Sequence, residues 1–279
     1  MTKVALLGAG GKMGVRLATN LNHSRFELDP VEISVEGRAR LRDATGLEAV
    51  EQALALAEAD IVLMAVPDKL IGKIAHTFIA QLKPGAAVIV LDAAAPYAGE
   101  LPERADITYF CTHPCHPHIL EAHDSRAAQQ DYFGGIAAPQ AIVCALIQGP
   151  DAHYALCEEV AQVIYAPVSR SHRCSLEQIA ILEPALSETV GATFAMALRE
   201  ATDKAISMGV PAAAAHDFIL GHLKIELAIA FGIFPEGRFS DGALMAIDQA
   251  KSVVFKDQWL DEVFNLDAIK KSVRDICAD

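Results

Sequence analysis

Val4-Ala5-Leu6-Leu7-Gly8-Ala9-Gly10-Gly11-Lys12-Met13-Gly14 decides how the rest of this chain is read. Val4 to Leu7 is an apolar run of strand length. Gly8, Gly10, Gly11 and Gly14 follow at once, and from Val15 the sequence VRLATNLNH reads as a helix. Strand, glycine turn and helix in that order form the context of a dinucleotide-binding fingerprint. Glycine permits the tight turn, lets backbone approach a pyrophosphate and leaves room for the helix against the strand. The helix N-terminus adds N–H groups and the positive end of its dipole. Gly8, Gly11 and Gly14 fit G-x-x-G-x-x-G rather than the plain G-x-G-x-x-G. The candidate cofactor contacts here are Gly8, Gly10, Gly11, Lys12 and Met13.

Working outward, Phe26 to Ile33 reads as the second strand in spite of Pro30. Glu32 stands where a βαβ unit places the acid that binds the adenosine ribose. A carboxylate there repels a 2′-phosphate, so NAD is expected over NADP, although Arg38 and Arg40 could reach such a phosphate. A helix over Ala49–Ala59 precedes a buried strand that starts at Asp60 and stops at Pro67. Asp68 then lies at a carboxyl end, where open α/β sheets bind ligands. A helix from Ile71 to Leu82, a strand from Ala87 to Asp92 and a small-residue loop from Ala93 to Pro96 follow. The alternation predicts an α/β class with an N-terminal doubly wound Rossmann sheet.

Gln140 to Gly149 adds an apolar strand, and His153 to Val168 a last helix–strand unit. From Ser175 the pattern is helical, over Ser175–Met208, Pro211–Phe231, Asp241–Phe255 and Asp267–Ala278. The expected organisation is a dinucleotide-binding domain over 1–168 and an all-helical substrate and dimerisation domain over 169–279. The helical half carries more apolar surface than a small bundle covers, so a symmetric homodimer is expected.

The net charge of −13 argues against nucleic acid, which wants a basic footprint. No apolar run reaches membrane-spanning length, and no signal-peptide pattern opens the chain, so the cytoplasm is the expected location. The six cysteines form no C-x-x-C pair and read as reduced thiols.

Tyr109-Phe-Cys-Thr-His113-Pro-Cys-His116-Pro-His118 is the chain's most unusual stretch. Pro114 and Pro117 stiffen a loop that projects imidazoles at the ligand edge of the sheet, which marks His113, His116 or His118 for an active site. Structural zinc is the alternative, but it wants paired C-x-x-C knuckles. In the first long helix, Pro184 removes a backbone donor beside Glu183, and a kink there would aim the carboxylate into a metal or acid/base site. His222 and Glu226 lie one turn apart and read as further ligands or as a plain helical pair.

The layout resembles the β-hydroxyacid and 6-phosphogluconate dehydrogenase superfamily, a Rossmann domain with a helical, dimer-forming C-terminal domain. Those enzymes keep a lysine on the first long helix, whereas here none occurs before Lys204. GAGGKMG, LDAAAPYAG, THPCHPH, RSHR and LEPALSETV together are closer to the D-apionate oxidoisomerase family. That resemblance implies NAD-linked oxidation of a branched sugar acid coupled to a carbon-skeleton rearrangement. Such a carbon shift needs adjacent oxygens held together and polarised, as a divalent cation does; His116 and Glu183 are the expected ligands, with His113 or His222 as additional candidates, and His116, Glu183 and His113 the expected catalytic groups. Arg170-Ser-His172-Arg173 is the candidate clamp for the substrate carboxylate. The competing expectations are a plain NAD(P)-dependent 3-hydroxyacid dehydrogenase without metal or rearrangement, and a non-catalytic NAD sensor.

Overall fold

The glycine-bearing stretch runs from β1 (Lys3–Leu7) through a turn into α1 (Lys12–Asn22) in the computed structural model, which describes residues 1–278. There follow β2 (Glu27–Val31), α2 (Val35–Thr45), α3 (Gln52–Glu58), β3 (Ile61–Met64), α4 (Asp68–Phe78) and β4 (Ala87–Val90). The one-turn α5 (Ala94–Tyr97), β5 (Thr108–Pro114), α6 (Arg126–Gln129), β6 (Gln140–Gln148), α7 (Ala152–Ile164) and β7 (Val168–Arg173) complete the sheet region.

The seven strands lie in the order β2-β1-β3-β4-β5-β6-β7. Strands β1 to β5 are mutually parallel. The order reverses between β1 and β3, and a doubly wound sheet opens its ligand crevice at the carboxyl ends beside such a switch. Pro30 is tolerated because β2 is an edge strand, where a missing N–H breaks no ladder. Val4, Leu6, Leu63, Ile89 and Phe110 are buried in one cluster with Leu17 and Leu21 of α1 and Val160 of α7.

β6 runs antiparallel to β5, so the chain from 115 to 139 is a long connection across the carboxyl edge of β5. Two sequence expectations are amended. First, the small-residue loop after β4 holds the one-turn helix α5, and the Oδ1 of Asp92 accepts the Ala94 N–H at 2.6 Å. Second, the chain divides later than residue 168. β7 pairs with β6, and one compact unit takes in Met1–Glu183 together with the C-terminal residues from Lys270. Burial explains the division, since Ile179 and Ala180 after β7, and Val273 and Cys277 near the end, belong to the core.

The second unit, Pro184–Ile269, is helical. The chain reaches it from α8 (Leu176–Ala180) of the first unit, which opens with a capping box between Ser175 and Gln178. It continues without a break into wide π-type turns over Ile181–Ala192 and then α9 (Thr193–Ser207). Pro184 lies within those wide turns, as expected of a residue that lacks an N–H and crowds the carbonyl four residues back. α10 (Ala212–Ala230) packs on α9, and α11 (Asp241–Val254), α12 (Trp259–Val263) and α13 (Leu266–Cys277) follow. The rings of Phe194, Phe255 and Trp259 cluster with centroids 5.1–5.7 Å apart. α11 has no buried residue, and Phe218, Leu220, Phe231 and Met245 are exposed.

Candidate functional site

The turn after β1 is built on backbone contacts that leave no room for side chains. Gly8 adopts φ +77°, and a Cβ there would stand 2.3 Å from the Ala65 carbonyl oxygen after β3. A Cβ on Gly10 would stand 2.2 Å from the Gly37 carbonyl oxygen, and one on Gly14 2.0 Å from that of Gly8. Gly11 is the N-cap of α1 and offers no side-chain cap, so the helix start is open to an anion. Lys12 is the first, exposed residue of that helix. Met13 is partly buried and packs against the core cluster.

Glu32 is buried, with one carboxylate oxygen accepting the Gly10 N–H and the other the Ser34 N–H, each at 2.9 Å. Burial pushes its carboxyl up, but the Ser34 and Gly10 N–H groups outweigh this and hold it below the usual range. Arg38 and Arg40 surround it, donating from Nε to the Glu32 and Gly10 carbonyls at 2.7 and 2.9 Å. Asp68 opens α4 at the carboxyl edge of β3, exposed in the helix's first turn.

Two strands further along, the parallel register pairs Val90 with Cys111, and two more residues on each chain bring Asp92 level with His113. α8 packs against α5 and β6 and carries Glu183 to the same place. One ligand atom each of Asp92, His113 and Glu183 lies within 4.8 Å of the other two. Asp92 is buried and the other two half-buried. The Nδ1 of His113 is 2.8 Å from the Pro114 carbonyl, which can only accept, so Nδ1 carries the proton and Nε2 keeps its lone pair. Burial lowers the His113 pKa, with Asp92 acting against that shift, and the neutral ring a ligand needs is favoured. Two carboxylates and a neutral imidazole converging at a strand edge fit a hard or borderline divalent cation.

His116 is not one of the three. It sits just past β5 at φ +61°, its ring edge-on to His113 with centroids 6.1 Å apart, and its Nδ1 donates to the Phe133 carbonyl at 2.9 Å. His118 is exposed and accepts the Leu120 N–H. His222 belongs to the second unit, stacked on Phe218 with its Nδ1 on the Phe218 carbonyl. The RSHR cluster is divided by strand alternation. Arg173 lies over the Tyr154 ring and pairs with Asp151, and Ser171 donates to Glu158, so both face α7. Arg170 pairs with Glu121 in the 115–139 connection. Asp92 escaped the sequence reading because its partner is set by strand register, while its only sequence mark is a carboxylate after an apolar run.

This combination, a doubly wound sheet with an open glycine turn and a polar group at one strand edge, followed by a helical unit, defines a class. The family model for the C-terminal region of decarboxylating phosphogluconate dehydrogenase matches residues 121–277. The D-apionate oxidoisomerase of Cupriavidus necator is 50% identical over 98% of this chain and 99% of its own. That of Rhizobium rhizogenes is 49% identical over 99% of this chain and 100% of its own. The crystal structure of a semialdehyde dehydrogenase NAD-binding protein from Cupriavidus necator, in complex with calcium and NAD, is similar at a TM-score of 0.97 and 50% identity, covering 99% of each chain. The chain belongs to the D-apionate oxidoisomerase family, within the 6-phosphogluconate dehydrogenase-like superfamily.

Proposed function

We propose that this protein is an NAD-dependent oxidoisomerase that converts a branched sugar acid, in the manner of D-apionate to 3-oxo-isoapionate, with the assistance of a divalent cation. The observation that carries the reading is the convergence of Asp92, His113 and Glu183 on the carboxyl edge of the sheet that also bears the glycine turn. The names of the relatives support the reaction, and the calcium and NAD of the Cupriavidus structure support both cofactors.

In this reading Gly8, Gly10, Gly11 and the first turn of α1 hold the pyrophosphate, with Lys12 adding charge and Met13 its backbone N–H. Glu32 takes the adenosine ribose and Asp68 borders the crevice. Asp92, His113 and Glu183 would hold the cation, which when bound supplies Lewis-acid polarisation of adjacent substrate oxygens. His116 takes the hydroxyl proton on Nε2, since its Nδ1–H is held by Phe133, while the substrate's hydride passes to the nicotinamide. Arg170 is the remaining candidate for the substrate carboxylate. The protein works as a cytoplasmic homodimer assembled through its helical unit, a reading supported by the exposed apolar side chains there.

The test is to incubate the protein with NAD and D-apionate, with and without added magnesium, and to follow NADH and the carbon skeleton by NMR. Cation-dependent NADH together with a rearranged oxo acid supports the proposal. An unrearranged oxo acid at full rate without cation identifies a plain 3-hydroxyacid dehydrogenase.

A further inference from the structure

Phe133 touches both halves of this site. Its ring centroid is 5.0 Å from the Lys12 ammonium and 5.6 Å from the Arg16 guanidinium, both on the first turns of α1. On the other side its ring meets that of His116 edge-on at 5.8 Å, and its carbonyl takes the His116 Nδ1–H. Arg16 adds a bond to the neighbouring Gly134 carbonyl at 3.2 Å. Phe133 is 52% exposed, so the core does not enclose its ring, and its cation and histidine contacts help to seat it.

The rest of the segment is stiff. Buried Asp131 accepts the N–H groups of Ile136, Ala137 and Ala138 on one oxygen, at 2.8–3.1 Å. Gly134, at φ +72°, lies so close to Gln140 that a Cβ would stand 2.5 Å from its amide. A displacement of Phe133 is therefore shared by its neighbours rather than absorbed. His116 is the opposite case: at φ +61° it holds a conformation that costs a non-glycine residue energy and needs external support.

We propose that Phe133 is a positioning residue that couples the dinucleotide's phosphate end to the orientation of His116. The inference rests on the reading of the glycine turn as the cofactor site. A pyrophosphate at the start of α1 attracts the same Lys12 and Arg16 charges that the Phe133 ring holds. The ring's seat changes when phosphate arrives, and the carbonyl bonded to His116 changes with it. Coupling of this kind is reciprocal, so the state of His116 also bears on NAD affinity.

The experiment uses the full chain with 15N-labelled histidine at one fixed pH, with the His116 ring signals assigned by their loss in His116→Gln. NAD is expected to shift those signals in the unaltered protein and in Phe133→Tyr, which keeps the ring. In Phe133→Leu, NAD should still bind while the His116 response disappears. Its kcat should fall on the order of 10–100-fold, with the KM for the sugar acid almost unchanged. An undiminished His116 response in Phe133→Leu overturns the coupling while leaving the cofactor site intact. Should that variant not fold, Arg16→Met must weaken the same response, and an undiminished response there refutes the proposal. Absence of NAD binding by the unaltered protein removes the cofactor reading itself, and the coupling with it.

Discussion

Glu32→Gln perturbs the glycine turn through its buried support while keeping side-chain shape. Each Glu32 oxygen receives one backbone N–H at 2.9 Å. An amide can accept with its oxygen alone, so one N–H then faces an NH2 group and the other loses a charged acceptor. Losing a charge-assisted bond of this sort costs about 1.5–3 kcal/mol. Each kcal/mol lowers the melting temperature of a chain this size by roughly 2–4 °C, so a fall on the order of 5 °C is expected at neutral pH. The sign with pH follows from the depressed carboxyl. Its stabilisation is complete above the unfolded carboxyl's pKa, about 4.3, and is lost as pH falls through the lower folded value. The melting temperatures of the two proteins should therefore converge below about pH 4. Removing the charge also relieves repulsion of a 2′-phosphate, so the preference for NAD over NADP should fall by about tenfold, close to 1.4 kcal/mol. Thermal scans across pH and titrations with both cofactors supply the data. A constant gap in melting temperature down to pH 3, or an unchanged cofactor ratio, would refute the reasoning.

Gly10→Ala forces a methyl carbon to within 2.2 Å of the Gly37 carbonyl, where only backbone can give way, so about 1–3 kcal/mol of stability and most NAD affinity should be lost. Thermal unfolding and calorimetric NAD titration check this. Glu183→Gln and Asp92→Asn should each weaken manganese binding at least tenfold by electron paramagnetic resonance, with NAD affinity unchanged, since neither residue lies in the glycine turn. Phe218→Glu places a charge on an exposed apolar face of α10 and should shift a homodimer toward monomer in sedimentation.

What the sequence made legible was local. The glycine turn and Pro184's disturbance of its helix are read from neighbouring residues, and both are present in the structure. Both His113 and His116 were legible as candidates, but which of them lies beside Glu183 was not. It depends on β5 continuing through His113 to Pro114 and on β4 lying beside it in register, which levels Asp92 with His113. The division of the RSHR cluster has the same origin, because contiguous residues on a strand face opposite sides. The later division of the chain was hidden because β7, with its polar VSRSHR sequence, lacks the apolar run that marks a buried strand.

The central claim is that oxidation and rearrangement share one site built on Asp92, His113 and Glu183, and product stoichiometry in the presence and absence of cation tests it most directly. With NAD, D-apionate and magnesium, one rearranged oxo acid should form for each NADH, and EDTA should abolish both while NAD still binds. NADH formation at an undiminished rate in excess EDTA, or in Glu183→Gln, would contradict the account.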